Sequence, residues 1–126
     1  MTKTTSTILI VEDHEDTLEL LRATVEASGR HVVTASDGED ALAMAHRELP
    51  DLVLLDVGLP KLDGLQVCRL LKGNDATKAT RIVVLSVNAS GAAALECGAD
   101  RFLPKPFSPT TLLATLDRLL GQGTGA

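Results

Sequence analysis

Asp56 closes an apolar run, Leu52-Val53-Leu54-Leu55, and opens the stretch Asp56-Val57-Gly58-Leu59-Pro60. Three other apolar runs also end on polar residues. The run 8–11 leads to Glu12-Asp13, the run 82–85 leads to Ser86, and Arg101-Phe102-Leu103 leads through Pro104 to Lys105. If these runs are parallel strands, their carboxyl ends bring three carboxylates, a hydroxyl and an ammonium to one edge of one sheet. Such a set suits metal-assisted phosphoryl transfer onto a carboxylate.

Three carboxylates in one crevice repel one another, and without compensation at least one takes up a proton. A hard divalent cation removes the conflict. Mg²⁺ suits a site with few carboxylates, several waters and a phosphate. On this reading Asp13 and Asp56 ligate the metal directly, the backbone carbonyl of Gly58 is a third ligand, and Glu12 acts through a water. Asp56 is the nucleophile. Lys105 contacts Asp56 and then the phosphoryl oxygens, and the Ser86 hydroxyl donates to the same oxygens. No general base is required, because the donor is already a reactive phosphorus compound, for which a phosphohistidine is the natural candidate.

Singly, each signal is weak. A strand-end carboxylate serves as often as a cap or a solvated loop residue, Ser86 alone reads as a turn hydroxyl, and Lys105 alone as a surface lysine. Their company gives them meaning. His14, His31 and His46 read as solvated, although His14 adjoins the acidic pair, and Asp37 and Asp63 are better explained as helix caps. Cys68 and Cys97 form no CxxC and read as two buried, reduced thiols.

The elements that must position these residues alternate strand and helix. Strands are expected at about 7–11, 31–35, 52–56, 81–86 and 101–104. Four are continuous β-branched or Leu runs, as in a parallel sheet covered on both faces; the second is shorter and more polar, as at an edge. The first helix spans about 15–28, with Leu18, Leu21 and Val25 on one face and Gly29 past its end. The second starts from Asp37 as N-cap, turns Ala41, Leu42, Ala45 and Leu49 inward and stops at Pro50. The third starts near Asp63-Gly64 and buries Leu65, Cys68 and Leu71. A fourth is expected within roughly 88–97, short or mobile, because Ala89-Ser90-Gly91-Ala92-Ala93-Ala94 is small and weakly capped. The last has Ser108 as N-cap and Pro109 at its first position, with a stripe of Leu112, Leu113, Leu116, Leu119 and Leu120. Right-handed crossovers and five strands favour the doubly wound α/β order 2-1-3-4-5, whose switch point lies between strands 1 and 3. Glu12, Asp13 and Asp56 fall at that crevice.

A chain of 126 residues favours a single domain over 1–126, with a core over about 7–120 and a flexible tail or linker start at 121–126. Hydrophobic residues make up 44%, while Phe102 and Phe107 are the only aromatics, so the core is Leu, Val, Ile and Ala. A net charge of -5 with no basic patch argues against direct nucleic-acid or anionic-membrane binding. No apolar run could span a bilayer, and residues 1–7 lack the apolar stretch of a signal peptide, which points to the cytoplasm.

Five segments in order carry a family likeness: Val11-Glu12-Asp13; Asp51 through Asp56; Leu59-Pro60 with Asp63-Gly64; Ser86; and Gly98 through Phe107. From about 7 to 120 the chain resembles the receiver domain of two-component response regulators, the CheY-like superfamily with a flavodoxin-like fold. The resemblance implies Asp56 as phosphoacceptor, Glu12 and Asp13 as the acidic pair for Mg²⁺, and Ser86 and Lys105 as the switch pair. It implies a cis peptide between Lys105 and Pro106 that turns the lysine into the site, and Phe102 as an aromatic switch. On phosphorylation Ser86 is expected to move toward the phosphate, Phe102 to turn inward, and the surface of the fourth and fifth strands and helices to repack and control a partner. A histidine kinase or histidine phosphotransfer protein would write the signal and a downstream protein would read it. The module is a monomer or a phosphorylation-dependent dimer, with no catalysis beyond its own phosphorylation and slow autodephosphorylation.

The chain departs from the family pattern in three places. Ser86 to Lys105 spans 19 positions, shorter than usual, and the shortening falls near 88–97. Val87 stands where Ala or Gly is common and narrows access to Asp56. Gly58 stands where a longer side chain is common and leaves an acyl phosphate open to water, with Asn88 the other position that tunes hydrolysis. Alternatives are a receiver-like scaffold that acts without phosphorylation, or a piece of a larger hybrid kinase or regulator. A haloacid-dehalogenase-like phosphatase needs an Asp-x-Asp-x-Thr motif after the first strand, and a flavodoxin-type nucleotide or flavin module needs a Gly- or Ser/Thr-rich loop there. Neither is present.

Overall fold

A computed structural model describes residues 5–59, 61–87 and 95–121. The elements are β1 (Thr7–Val11), α1 (Glu15–Ala27), β2 (His31–Ala35), α2 (Gly38–Glu48), β3 (Leu52–Asp56), α3 (Gly64–Lys72), β4 (Arg81–Ser86), β5 (Arg101–Pro104) and α4 (Pro109–Leu120). The helix expected near 88–97 lies mostly outside the described residues, so the helix expected to be fifth is α4 here.

The five strands are parallel, in the order β2-β1-β3-β4-β5. β1, β3 and all of β4 beyond Arg81 are buried except at Thr7, whereas β2 mixes buried and half-buried positions, as suits its edge place. Alternation along the strands splits the core in two. Leu9, Val11, Val53, Leu55 and Val84 face α2 and α3 through Ala41, Ala45, Val67, Cys68 and Leu71. Ile8, Ile10, Leu52, Leu54, Val83 and Leu85 face α1 and α4 through Leu21, Val25, Leu112 and Leu116. Removing water from both faces of the sheet is the main driving force for this architecture.

Helix boundaries follow the side chains that satisfy their exposed N–H groups. Asp37 accepts from the Asp40 N–H, Ser108 accepts from the Thr111 N–H, and Asp63 with Gln66 closes a full capping box. Gly29, at φ 90, turns the chain after α1. Two expectations fail. Leu49 is not inward: it is 53% exposed and adopts the left-handed conformation (φ 47) at the end of α2. The reason is Pro50, whose ring disfavours a right-handed helical residue before it. In α3 the buried apolar positions are Val67, Cys68 and Leu71, whereas Leu65 only packs at the margin of the core.

Just before β5, Asp100 joins three elements. Its carboxylate accepts from the Ile82 N–H (2.8 Å) and from Lys72 Nζ (3.0 Å), with Arg81 3.5 Å away. Burial by itself would raise the carboxyl pKa, but the Ile82 N–H and the Lys72 ammonium outweigh it and hold the group below its ordinary value. A depressed folded-state pKa stabilises the fold above the ordinary carboxylate pKa, and that stabilisation is lost as pH falls through the depressed value. Asp100→Asn is expected to cost about 2 kcal/mol at pH 7, with the gap to the parent protein closing in acid. Urea unfolding at neutral and acid pH measures it, and equal midpoints at pH 7 would refute the assignment.

Candidate functional site

Sheet register creates the site. Val11 pairs with Leu55, so Glu12 and Asp56 follow at the same level on adjacent strands. Asp56 pairs with Leu85 and Ser86 pairs with Pro104, which brings Ser86 beside Asp56 and Lys105 just beyond the end of β5. Residues far apart in sequence thus meet at the carboxyl edge, at the switch point between β1 and β3.

Glu12 is fully buried, a position charged residues take only with partners. Its backbone N–H donates to the Ala35 carbonyl at 3.1 Å, which extends the pairing one residue past β1. Asp56 and Ser86 are buried as well, and Asp13 lies at the rim. Lys105 reaches over both buried carboxylates: Nζ stands 3.1 Å from Asp56 Oδ1 and 3.3 Å from Glu12 Oε1. One backbone contact aims it there: the Lys105 N–H donates to the Ser86 carbonyl at 2.9 Å. The peptide bond to Pro106 is cis. Partial burial by itself would lower the lysine pKa, but Asp56 foremost, and then Glu12, raise it above its ordinary value. Lys105 therefore stays an ammonium.

The loop after β3 is set by close backbone packing. The Val57 N–H donates to the Leu85 carbonyl at 3.1 Å, and the Val57 carbonyl accepts from the Gly64 N–H at 2.9 Å. A Cβ on Gly64 would stand 2.4 Å from the Asp56 carbonyl oxygen, and one on Gly38 would stand 2.4 Å from the Leu62 carbonyl oxygen. At Gly58 a Cβ would meet only Asp56 Oδ2, at 4.0 Å, among the described residues. Pro60 and Asn88 fall outside the described residues.

His14 departs from the expectation of a purely solvated side chain. It is 73% exposed, yet Nδ1 stands 3.1 Å from Glu12 Oε2 and 3.4 Å from Asp13 Oδ1. The hydrogen bond to Glu12, then the charge of Asp13, raise its pKa. Its place next to Glu12-Asp13 in the sequence already allowed contact with the site, although a solvated role was favoured. Phe102 is half-buried against the core layer of α2 and α3. Val87 is 67% exposed and lines an apolar cleft of about 330 Å³ with Leu20, Lys105, Pro106 and Phe107. Cys68 and Cys97 are buried free thiols, and burial foremost pushes the Cys68 thiol well up, so it stays protonated.

Three acidic side chains on one crevice, two of them buried, form a hard-oxygen donor set that fits a divalent cation such as Mg²⁺. The ammonium of Lys105 leaves part of that negative charge unbalanced. Among the described residues, Glu12, Asp13 and His14 each offer a ligand atom within 4.8 Å of the others.

A five-stranded 2-1-3-4-5 sheet, with carboxylates at the ends of its first and third strands and a lysine beyond its fifth, defines the receiver class of α/β signalling domains. The model of the response regulator receiver domain family matches residues 8–117, and the chain belongs to that family. Over 118 residues it is 42% identical to the alkaline phosphatase synthesis transcriptional regulatory protein PhoP of Bacillus subtilis, covering 90% of this chain and 48% of PhoP. The chemotaxis protein CheY4 of Vibrio cholerae superimposes with a TM-score of 0.86 at 32% identity, covering 92% of this chain and 99% of that one. The receiver domain of the sensor histidine kinase PA1611 of Pseudomonas aeruginosa, whose structure has magnesium coordinated in its active-site cleft, gives 0.86 at 30% identity, covering 93% and 98%. The chain spans about half or less of the length of the curated relatives it matches. It is a receiver domain of the two-component response regulator family, a regulatory class. No helix among the described residues is long and apolar enough to cross a membrane.

Proposed function

We propose that this receiver domain is a phosphorylation switch in which Asp56 accepts a phosphoryl group from a phosphohistidine protein, with Mg²⁺ as cofactor. The observation that carries this reading is the Lys105 ammonium, held on Asp56 and Glu12 at 3.1 and 3.3 Å. Asp13, Asp56 and the Gly58 carbonyl would hold the metal, with Glu12 acting through a water. When bound, Mg²⁺ neutralises charge on the phosphoryl oxygens. An Asp56 oxygen forms the new bond to phosphorus as the P–N bond of the donor breaks, and the electron pair leaves with the imidazole nitrogen. Lys105 then shifts its contact to the phosphoryl oxygens, and the Ser86 hydroxyl donates to them.

The apolar cleft beside Lys105 offers a surface on which a donor protein can seat its histidine near Asp56. Output follows if Ser86 moves toward the phosphoryl group and Phe102 turns further into the core, which repacks β4, β5 and α4. Gly58, with no side chain beside Asp56, favours hydrolysis of the acyl phosphate. We assign residues 1–126 to one cytoplasmic receiver domain; the expected tail at 122–126 lies outside the described residues. Its partners are a histidine kinase or phosphotransfer protein and a downstream protein. The relatives include a transcriptional regulator, so the acidic surface argues against nucleic-acid binding by this segment and not by a longer protein that contains it.

Acetyl phosphate with Mg²⁺ is expected to add one phosphate to the intact mass, and beryllofluoride with Mg²⁺ to shift amide resonances around Asp56, Ser86 and β5. No Mg²⁺-dependent adduct, together with no beryllofluoride-induced shifts, defeats the proposal. Phe102→Ala is expected to load normally yet lose the shifts that reach β5 and α4. An unchanged pattern removes Phe102 from the mechanism.

A further inference from the structure

His14 touches both members of the acidic pair, and nothing in the proposed phosphoryl transfer uses it. Its Nδ1 stands 3.1 Å from Glu12 Oε2 and 3.4 Å from Asp13 Oδ1. First-row divalent ions hold nitrogen and oxygen ligands at about 2.0–2.2 Å. Two donors on neighbouring vertices of such an ion therefore stand about 3.0–3.4 Å apart, from those bond lengths and tetrahedral or octahedral angles. The separation from Asp13, a direct ligand on the reading above, falls in that interval, while Glu12, which acts through a water, orients the imidazole from 3.1 Å. Burial fixes Glu12 in place, while the exposed imidazole can turn onto an ion without disturbing the core.

We infer that His14 is a nitrogen ligand in this crevice, and that it makes the site prefer later first-row divalent ions such as Co²⁺ and Ni²⁺ to Mg²⁺. The inference rests on the reading that the crevice holds a divalent cation. Mg²⁺ keeps oxygen ligands and waters and gains little from an imidazole, whereas the later first-row ions gain from nitrogen donors. His14 is thus a determinant of metal choice, and the acidic residues alone set the capacity for Mg²⁺. The competing account makes the imidazolium a countercharge for Glu12 and Asp13. It predicts the opposite sign, because removing a resident cation from an acidic crevice strengthens binding of every divalent ion.

Calorimetric titration of the full chain with Co²⁺ and with Mg²⁺, before and after His14→Ala, separates the two accounts. His14→Ala is expected to weaken Co²⁺ binding about tenfold or more and to leave Mg²⁺ affinity nearly unchanged. Pulsed electron paramagnetic resonance of the Cu²⁺-loaded protein is expected to show ¹⁴N coupling that His14→Ala removes. Co²⁺ binding that is unchanged or tighter in His14→Ala, or an absent ¹⁴N coupling, overturns the inference. Asp13→Asn must also weaken Co²⁺; if it does not, the ion sits on other surface histidines and the inference fails. Mg²⁺ binding without any His14 dependence of Co²⁺ sinks this inference alone. Failure of both ions to bind sinks the metal reading of the crevice as well.

Discussion

Asp56→Asn is expected to reduce the Mg²⁺-dependent phosphate adduct to background while the fold survives. The amide keeps the shape of the carboxylate but lacks the anionic oxygen that attacks phosphorus and ligates a hard cation. Its effect on stability should run the other way. Asp56 is buried beside the fully buried Glu12, and one lysine serves both. Removing one of two crowded negative charges relieves repulsion and leaves Lys105 to Glu12. The unfolding midpoint of the metal-free variant is expected to equal or exceed that of the parent, by up to about 1 kcal/mol. Intact mass after acetyl phosphate and urea unfolding report the two effects separately. An adduct of undiminished yield in Asp56→Asn would place the acceptor elsewhere.

Gly64→Ala is expected to damage stability and phosphorylation together. The added Cβ would stand 2.4 Å from the Asp56 carbonyl oxygen and 2.8 Å from the Val57 Cα. Both obstacles are backbone, so no side-chain rotation relieves them. Either α3 moves away from β3, or the peptide that carries Asp56 shifts. The cost of such overpacking is about 3 kcal/mol. The shift falls on the residue proposed to react, so the rate of adduct formation should drop even in protein that remains folded. Urea unfolding and the time course of acetyl phosphate labelling measure the two losses. A Gly64→Ala protein with parental stability would mean that α3 tolerates displacement and that the close approach is dispensable.

These two residues differ in how far the sequence revealed them. Asp56 stood out because it ends a buried apolar run, as each strand leading into the crevice does. Gly64 read only as part of a helix start, since its demand for space comes from a strand beside it and not from its own conformation. His14 and Leu49 divide in the same way. His14 adjoins the acidic pair, but the direction of its ring depends on where the Glu12 side chain is held. Leu49 fits the apolar stripe of α2, yet Pro50 turns the chain and exposes it. Val67 was passed over in favour of Leu65, because α3 presents its Cys68 face to the sheet.

Strand limits, strand order, the caps Asp37, Asp63 and Ser108, and the carboxylates, hydroxyl and lysine of the crevice came from the sequence alone, whereas the contacts of His14 did not. Each rests on local chemistry: continuous apolar runs for strands buried on both faces, acceptor side chains for exposed helix N–H groups, and a polar residue where each run meets water. The three-dimensional arrangement decided what local chemistry does not contain. The contact of Lys105 with Asp56 was expected, but its reach to Glu12 follows from the register that levels β1 with β3 and from the Ser86 carbonyl that holds the Lys105 N–H. A contact between residues 93 positions apart depends on strand pairing and backbone geometry across the whole sheet, and no window of sequence carries that information.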